Sequence, residues 1–317
     1  MSRPTLSVVI PIFNEEQGIP ELDRRVHAML EGLGVTWEVV LVDDGSRDRS
    51  RELLRALATR EPRYKVIGFA RNFGHQVAIS AGVDRADGDA VVVMDADLQD
   101  PPEVVSEMLA RFRDGYDVVY GVRSKRLGET LFKKITAAGF YRLLRKLIGF
   151  EIPLDAGDFR LMSRPVVLTL RGLRERHRFV RGMVAWVGFR QTAVHYERKE
   201  RFAGETKYPL RKMLRFALDG ITSFSIVPLR LATWFGLLAG ASAIGVAGWA
   251  LWAKLRGEVV QGWTALMILV ALVSSAQLIV AGILGEYVGR IYEEVKRRPL
   301  YTVSEEMNFA VDESPRI

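Results

Sequence analysis

Residues 90–103 read A-V-V-V-M-D-A-D-L-Q-D-P-P-E, and this stretch decides the fold. Val91, Val92, Val93 and Met94 form an apolar run between polar neighbours, the pattern of a strand buried on both faces of a parallel sheet. The run passes straight into Asp95-Ala96-Asp97. Open α/β sheets bind ligands beyond the carboxyl ends of their strands. Two carboxylates one residue apart at such an end offer hard oxygen donors suited to Mg2+ or Mn2+. Magnesium held in this way keeps some water and also takes substrate phosphates. Pro101-Pro102-Glu103 then opens a helix, because proline suits a first turn. A bare D-x-D is more simply read as a solvated acidic loop. The strand before it and the helix start after it favour a site.

The same alternation runs outward from this stretch. Residues 6–12, 37–42, 66–69 and 118–122 are short apolar runs expected as further strands. Residues 17–33 have helical spacing, with Ile19, Leu22, Val26, Met29, Leu30 and Leu33 on one side. Helices are expected again after Ser46 or Asp48, near 76–86, near 101–114 and from Pro165, with a last strand near 190–196. Strands alternating with helices of this length predict an α/β fold with a doubly wound, mostly parallel sheet. Asn14-Glu15-Glu16, Asp43-Asp44 and Asp95-x-Asp97 all fall at strand ends, which share one face of a parallel sheet. Carboxylates at the end of the second strand suit ribose hydroxyls or a base edge. No G-x-G-x-x-G or G-x-x-x-x-G-K-[ST] follows the first strand, which disfavours a dinucleotide site or a P-loop.

Composition sets limits of its own. The chain has 317 residues, enough for one large domain or two ordinary ones. There are no cysteines, which excludes disulfides, a thiolate nucleophile and a cysteine zinc site. The first residues lead directly into an apolar strand, so no signal peptide is expected. The net charge of +7 and isoelectric point near 9.6 favour an anionic partner. Mean hydropathy is +0.07, and most of the excess lies after Pro228. Residues 231–253 and 263–285 carry no charge over roughly 23 positions each, the length needed to cross a bilayer. Trp234, Trp252 and Trp263 lie near the ends, where aromatic belts form. Arg211, Lys212, Arg215 and Arg230 precede this hairpin, and Arg290, Lys296, Arg297 and Arg298 follow it. The positive-inside rule then places both termini and the sheet domain in the cytoplasm. A buried soluble hairpin is the alternative. Gly236 and Gly240 form a G-x-x-x-G, a pattern of close helix packing; a homo-oligomer is a separate expectation. Residues 129–150 interleave Leu131, Phe132, Ile135 and Leu143 with Lys133, Lys134, Arg142 and Arg145, an interface helix or a helix on the sheet with a basic outer face. The tail after Tyr301 is polar and expected to be disordered.

The expected organisation is a catalytic α/β domain over 1–208, an amphipathic juxtamembrane segment over 209–228, a transmembrane hairpin over 229–288 and a cytoplasmic tail over 289–317. The motifs F-N-E-E, D-D-G-S, D-A-D-L-Q-D-P-P-E, G-D-F-R-L and A-G-E-T-K-Y, in this order and before a terminal hairpin, resemble those of the polyisoprenyl-phosphate glycosyltransferases. These are GT-A-fold, metal-dependent, inverting enzymes similar to dolichol-phosphate mannose synthase and its bacterial undecaprenyl-phosphate relatives. The resemblance covers residues 6–301. D-x-D alone is common; the longer run with G-D-F-R-L and the hairpin is distinctive.

The resemblance implies transfer of a sugar from a nucleotide sugar, a UDP-sugar by preference, to a polyisoprenyl phosphate at the cytoplasmic leaflet of the inner membrane. It implies that Pro11, Phe13, Asn14, Glu15 and Asp44 line the nucleotide, that Asp95 meets ribose or sugar, and that Gln99 lies by the sugar. It implies Asp97, with Asp95, as holder of Mg2+ or Mn2+, and Asp158 as the catalytic base. Arg123, Arg201 and Lys207 are the candidates for the acceptor phosphate. His75 and His195 are expected to be structural. A phosphate monoester has a second pKa of about 6 and is already a nucleophile at neutral pH, so a base is worth less here than with a sugar hydroxyl. A processive polysaccharide synthase would carry Q-x-x-R-W and more membrane helices, and neither is present. An inactive scaffold of the same fold would not need Asp97 and Asp158. Nucleic acid is not an expected partner, because the basic charge lies beside the hairpin.

Overall fold

Valine and isoleucine dominate the first strands because β-branched side chains fit a pleated surface covered on both sides. In the computed structural model, which describes residues 4–123, 156–197, 227–257 and 262–310, these runs form the centre of an eight-stranded sheet. β1 (Leu6–Ile12) and β2 (Trp37–Asp43) are buried at every position. β3 (Tyr64–Phe69) and β4 (Ala90–Val93) complete the parallel core, in the order β4-β1-β2-β3. Pro11 lies two residues beyond the last β1–β4 pair, Val9–Val93, where that side of β1 has no ladder to interrupt.

The connecting helices are α1 (Ile19–Gly32), α2 (Ser50–Arg60), α3 (His75–Arg85) and α4 (Val105–Arg113), the last entered through a 3-10 turn at Pro102–Val104. Proline in the first turns of α1 and of the 3-10 element removes an N–H that has no helical partner there. α1 buries Ile19, Leu22, Val26 and Leu30, the stripe expected from its spacing. α3 lies close to the sheet: a Cβ on Gly82 would come within 2.2 Å of Val9 Cγ1.

Two departures from a purely parallel sheet matter. β5 (Val118–Arg123) pairs in parallel with β7 (Gln191–Tyr196), but β6 (Ala156–Ser163) enters between β4 and β5 and runs antiparallel to both. The expected tail disorder after Tyr301 is corrected: β8 (Val303–Met307) pairs antiparallel with β3 at the sheet edge. It is held by side chains as well as by the ladder. Arg55 grips Glu305 at 2.6 Å, Arg85 reaches Glu306 at 2.9 Å, and Asn308 donates to the carbonyls of Ala58 and Tyr64. Tyr301 stacks on Phe69 with 5.0 Å between centroids. α5 (Arg164–Gly172) and α6 (Val180–Trp186) complete this unit.

The second unit, within residues 214–298, contains α7 (Val227–Leu255) and α8 (Trp263–Val295), which pack against each other. Both are long and apolar enough to cross a membrane, and their surfaces are exposed, as shown by Trp234 at 69% and Ile244 at 75%. Such exposure is unlike that of a helix in a soluble core and favours membrane association. α8 spans about 50 Å at 1.5 Å per residue, so it is longer than the roughly 30 Å hydrocarbon layer. Its charged last turns, with Glu286 bound to Arg290 at 2.9 Å, carry the excess length. The proposed interface helix at 129–150, residues 209–226 of the juxtamembrane segment, and Arg201 and Lys207 lie outside the described residues.

Candidate active site

Three loops at the carboxyl ends of β1, β2 and β3 are tied together by their own polar groups. Asn14 takes a left-handed backbone at φ 54°, a conformation asparagine tolerates. Its N–H donates to Ser46 Oγ at 3.0 Å, and its Oδ1 accepts from the Arg47 N–H at 2.8 Å. The Glu15 N–H reaches Ser50 Oγ at 2.9 Å, and the Glu16 N–H reaches Asp48 Oδ2 at 3.1 Å. Phe13 stands 43% exposed at this edge. Gly45, at φ 72°, admits no side chain, since a Cβ would sit 2.4 Å from the Arg71 carbonyl carbon. The β2 and β3 loops therefore touch backbone to backbone.

Asp44 is buried and holds the β3 loop. Its Oδ1 accepts the Phe73 N–H at 2.7 Å, and its Oδ2 accepts from Gly74 N–H at 3.0 Å and Asn72 Nδ2 at 2.9 Å. Burial pushes the Asp44 carboxyl upward, and those backbone donors only partly offset it. Its observed work is to shape the turn that launches α3. Asp43 is paired with Arg51 at 2.6 Å and accepts the Ser46 N–H at 3.0 Å.

The centre of the site forms where β4 ends. The ladder pairs Val93 with Arg160; two residues further along each strand, in opposite directions, come Asp95 and Asp158. An antiparallel β6 is thus what carries Asp158 to the D-x-D. Asp158 is 4% exposed, with Arg181 Nε 2.9 Å from Oδ1 and Arg181 Nη2 3.0 Å from Oδ2. Gln76 Nε2 donates to Oδ2 at 3.1 Å. Burial opposes ionisation of Asp158, but His75 and the Arg181 guanidinium outweigh it and hold the carboxyl well below the usual range. Asp95 behaves differently. Its side chain is 32% exposed, yet Oδ1 is buried with no hydrogen-bond partner. Burial pushes the Asp95 carboxyl up to about 6; His75 opposes this, while Asp158, Asp100 and Asp97 add to it.

Asp97 Oδ1 accepts the Gln99 N–H at 3.1 Å across Leu98, which is held at φ 56°. A buried leucine in the left-handed region is strained, and such strain gathers where a turn must aim its neighbours. Asp100 is buried and accepts the Tyr196 hydroxyl. Arg123 Nη2 lies 3.5 Å from Asp100 and 3.2 Å from the position a Cβ on Gly157 would take. Gly157 therefore leaves room for the Arg123 guanidinium. Arg160 lies beneath, its Nη2 donating to the Gly157 carbonyl at 2.8 Å, and burial pushes it down to about 10.

Residues 7–170 match the model of the family described as glycosyl transferase family 2. The chain belongs to that family. This family 2 chain is 51% identical over 298 residues to an uncharacterized glycosyltransferase, YkcC, of Bacillus subtilis (strain 168), covering 94% of this chain and 92% of the relative. It is 40% identical to the prophage bactoprenol glucosyl transferase homolog of Escherichia coli (strain K12), covering 94% and 98%. It is 41% identical to the bactoprenol glucosyl transferase of Shigella phage SfII, covering 94% and 97%. Among solved structures, it aligns with the mannosyltransferase PcManGT from Pyrobaculum calidifontis in complex with GDP-Man and Mn2+, at TM-score 0.45 and 18% identity over 89% of this chain and 88% of that one.

The donor set fits a divalent cation. Asp95 and Asp97 supply hard oxygens, and a buried carboxylate oxygen without a partner is a poor arrangement for anything but a cation. Among the described residues no group of three or more His, Cys, Asp or Glu could hold a metal by itself, so water and substrate oxygens would complete the shell. The family 2 chain also uses residues the motifs did not mark. His75, expected to be structural, has Nε2 3.4 Å from both Asp95 Oδ1 and Asp158 Oδ2. Arg181 and Gln76 carried no signal except their places near the starts of predicted or observed helices.

Proposed function

We propose that this family 2 glycosyltransferase moves a sugar from a nucleotide sugar, a UDP-sugar by preference, to a polyisoprenyl phosphate, with inversion at the transferred carbon. The observation that carries this reading is the pairing across β4 and β6, which sets Asp158 against the Asp95-x-Asp97 pair at one end of the sheet. The bactoprenol glucosyl transferases match over 94% of the chain, and this supports a lipid phosphate as acceptor. The proposed organisation keeps a cytoplasmic catalytic domain over 1–208 and a two-helix membrane hairpin over 229–288.

Asp97, with Asp95, would hold Mg2+ or Mn2+, which when bound neutralises charge on the leaving diphosphate. Pro11, Phe13, Asn14, Glu15 and Asp44 define the nucleotide edge, with Gln99 at the sugar. Asp158 already accepts from Arg181 and Gln76 and is held ionised, which makes it a weak proton acceptor. A phosphate acceptor largely ionised at neutral pH needs little from a base. Asp158 therefore orients the acceptor and stabilises positive charge developing on the sugar ring. Arg123, which reaches Asp100 at 3.5 Å, is with Arg201 and Lys207 a candidate to offer cations to a dianionic headgroup.

The test is a panel of labelled nucleotide sugars given to isolated membranes containing the protein and undecaprenyl phosphate. A chloroform-soluble labelled product from one donor, with UDP-glucose the first to try, is the expected result. Label appearing only in soluble acceptors or in a growing polymer would overturn the assignment of a lipid phosphate.

A further inference from the structure

Arg123 and Tyr196 end their strands together. They are the last pair of the parallel β5–β7 ladder, so both lie at the carboxyl edge of those strands. Asp100 reaches the same place from the loop after β4, three residues beyond Asp97. The Tyr196 hydroxyl donates to Asp100 Oδ1, and its oxygen accepts from Arg123 Nε at 3.4 Å. Arg123 Nη2 closes the triangle on the same Asp100 oxygen at 3.5 Å. The two arginine contacts are long for hydrogen bonds, and the attraction between guanidinium and carboxylate adds to them.

Packing holds the tyrosine in this role. Its ring is buried and meets Phe159 edge-on, with 5.7 Å between centroids. Gly121 makes room for it, because a Cβ there would come within 2.7 Å of Tyr196 Cε1. Burial, with the Asp100 charge beside it, pushes the Tyr196 hydroxyl above its ordinary range, so it stays a donor. Burial opposes the Arg123 charge, but Asp100 and Tyr196 outweigh it.

The triangle holds one edge of the guanidinium. Nε–H and one Nη2–H form the inner edge of the planar fork, and that edge is turned to Tyr196 and Asp100. The end of the fork, Nη1 with the second Nη2–H, suits a bidentate grip on an oxyanion. Among the described residues Nη1 makes no hydrogen bond. An arginine already fixed along its inner edge gives up less freedom when a phosphate arrives.

We propose that Tyr196 is a positioning residue for the lipid-phosphate acceptor: its hydroxyl, set between Asp100 and Arg123, fixes the guanidinium with the outer edge of its fork open to the phosphate monoester. This rests on the reading of Arg123 as a cation for that headgroup. Tyr196 acts through Arg123, so the two residues must be coupled in acceptor binding.

The test titrates full-length protein in detergent micelles with undecaprenyl phosphate and, separately, with UDP in the presence of Mn2+. Tyr196→Phe keeps the ring on Phe159 and removes only the hydroxyl. It should raise the Kd for undecaprenyl phosphate about threefold or more, the scale of one lost hydrogen bond, and leave the Kd for UDP within about twofold. Arg123→Ala should raise the lipid Kd at least as much. In the double variant, Tyr196→Phe should add nothing to Arg123→Ala. An unchanged lipid Kd in Tyr196→Phe, an equal weakening of UDP, or effects that multiply in the double variant overturn the proposal. If Arg123→Ala is defective and Tyr196→Phe is normal, only the role of Tyr196 falls. If Arg123→Ala binds the lipid as the wild type does, the reading of Arg123 falls and the role of Tyr196 with it. A wild type that binds no undecaprenyl phosphate removes the acceptor itself.

Discussion

The sheet core and the helix pair are built from the same apolar residues and put to opposite use. Ala90, Val91, Val92 and Val93 of β4 are buried to within 1%. In α7 and α8, by contrast, Leu238 is 65% exposed and Leu278 is 73% exposed. Run length accounts for the difference. A four-residue strand reaches neighbours in its own sheet and loses water to protein. A run of roughly 23 residues forms a helix as long as a bilayer is thick, and its outer surface is left for lipid. Polar groups follow the same division. In the sheet unit they are spent on fixing loops, as Asp44 does with Phe73 and Gly74. Along the helices they gather at the ends, as Glu286 and Arg290 do.

A buried charge would break the sheet side of this comparison most severely. Val92→Asp places a carboxylate in a fully buried strand, and the expected loss is about 5 kcal/mol, enough to unfold the unit. Soluble yield and tryptophan emission would report it. The corresponding change in the helix pair should act on insertion and leave the sheet folded. Ile244→Arg should disfavour insertion by about 3 kcal/mol, read as a larger fraction extracted by alkaline carbonate. Tyr301→Ala removes the stack on Phe69 and the hydrogen bond to Asp84, at 3.2 Å, and should cost about 2 kcal/mol of sheet stability. A lower thermal midpoint with unchanged membrane extraction is the expected pattern. An unchanged midpoint would mean that the Tyr301 contacts are dispensable to the sheet. At the small end, Arg49→Ala breaks an exposed i,i+3 pair with Glu52 and should change stability by less than about 0.5 kcal/mol in chemical denaturation.

Much of this molecule could be read from local pattern alone. The four parallel strands and the D-x-D turn announce themselves within a few residues, and α1 and the helix pair within one continuous run of the chain. Asp95 and Asp97 were legible because a buried strand runs into them. Asp158 was marked only by resemblance to a family, since nothing local says that β6 enters antiparallel between β4 and β5. His75, Gln76 and Arg181 were illegible for the same reason. Their partner is 82 residues away for Gln76 and 23 for Arg181, and only the assembled sheet brings them together. V-S-E-E-M reads as a solvated tail because its charges look unpartnered in sequence. They meet Arg55 and Arg85, more than 200 residues earlier, and an edge strand needs only one face covered.

The central claim is that the end of β4 performs sugar transfer to a lipid phosphate. The most direct measurement compares purified wild-type and Asp97→Asn proteins in vesicles containing undecaprenyl phosphate, given labelled nucleotide sugar at limiting Mn2+ or Mg2+. The account predicts labelled lipid from the wild type, none above background from Asp97→Asn, and equal unfolding midpoints. Near-normal lipid labelling by Asp97→Asn would contradict it.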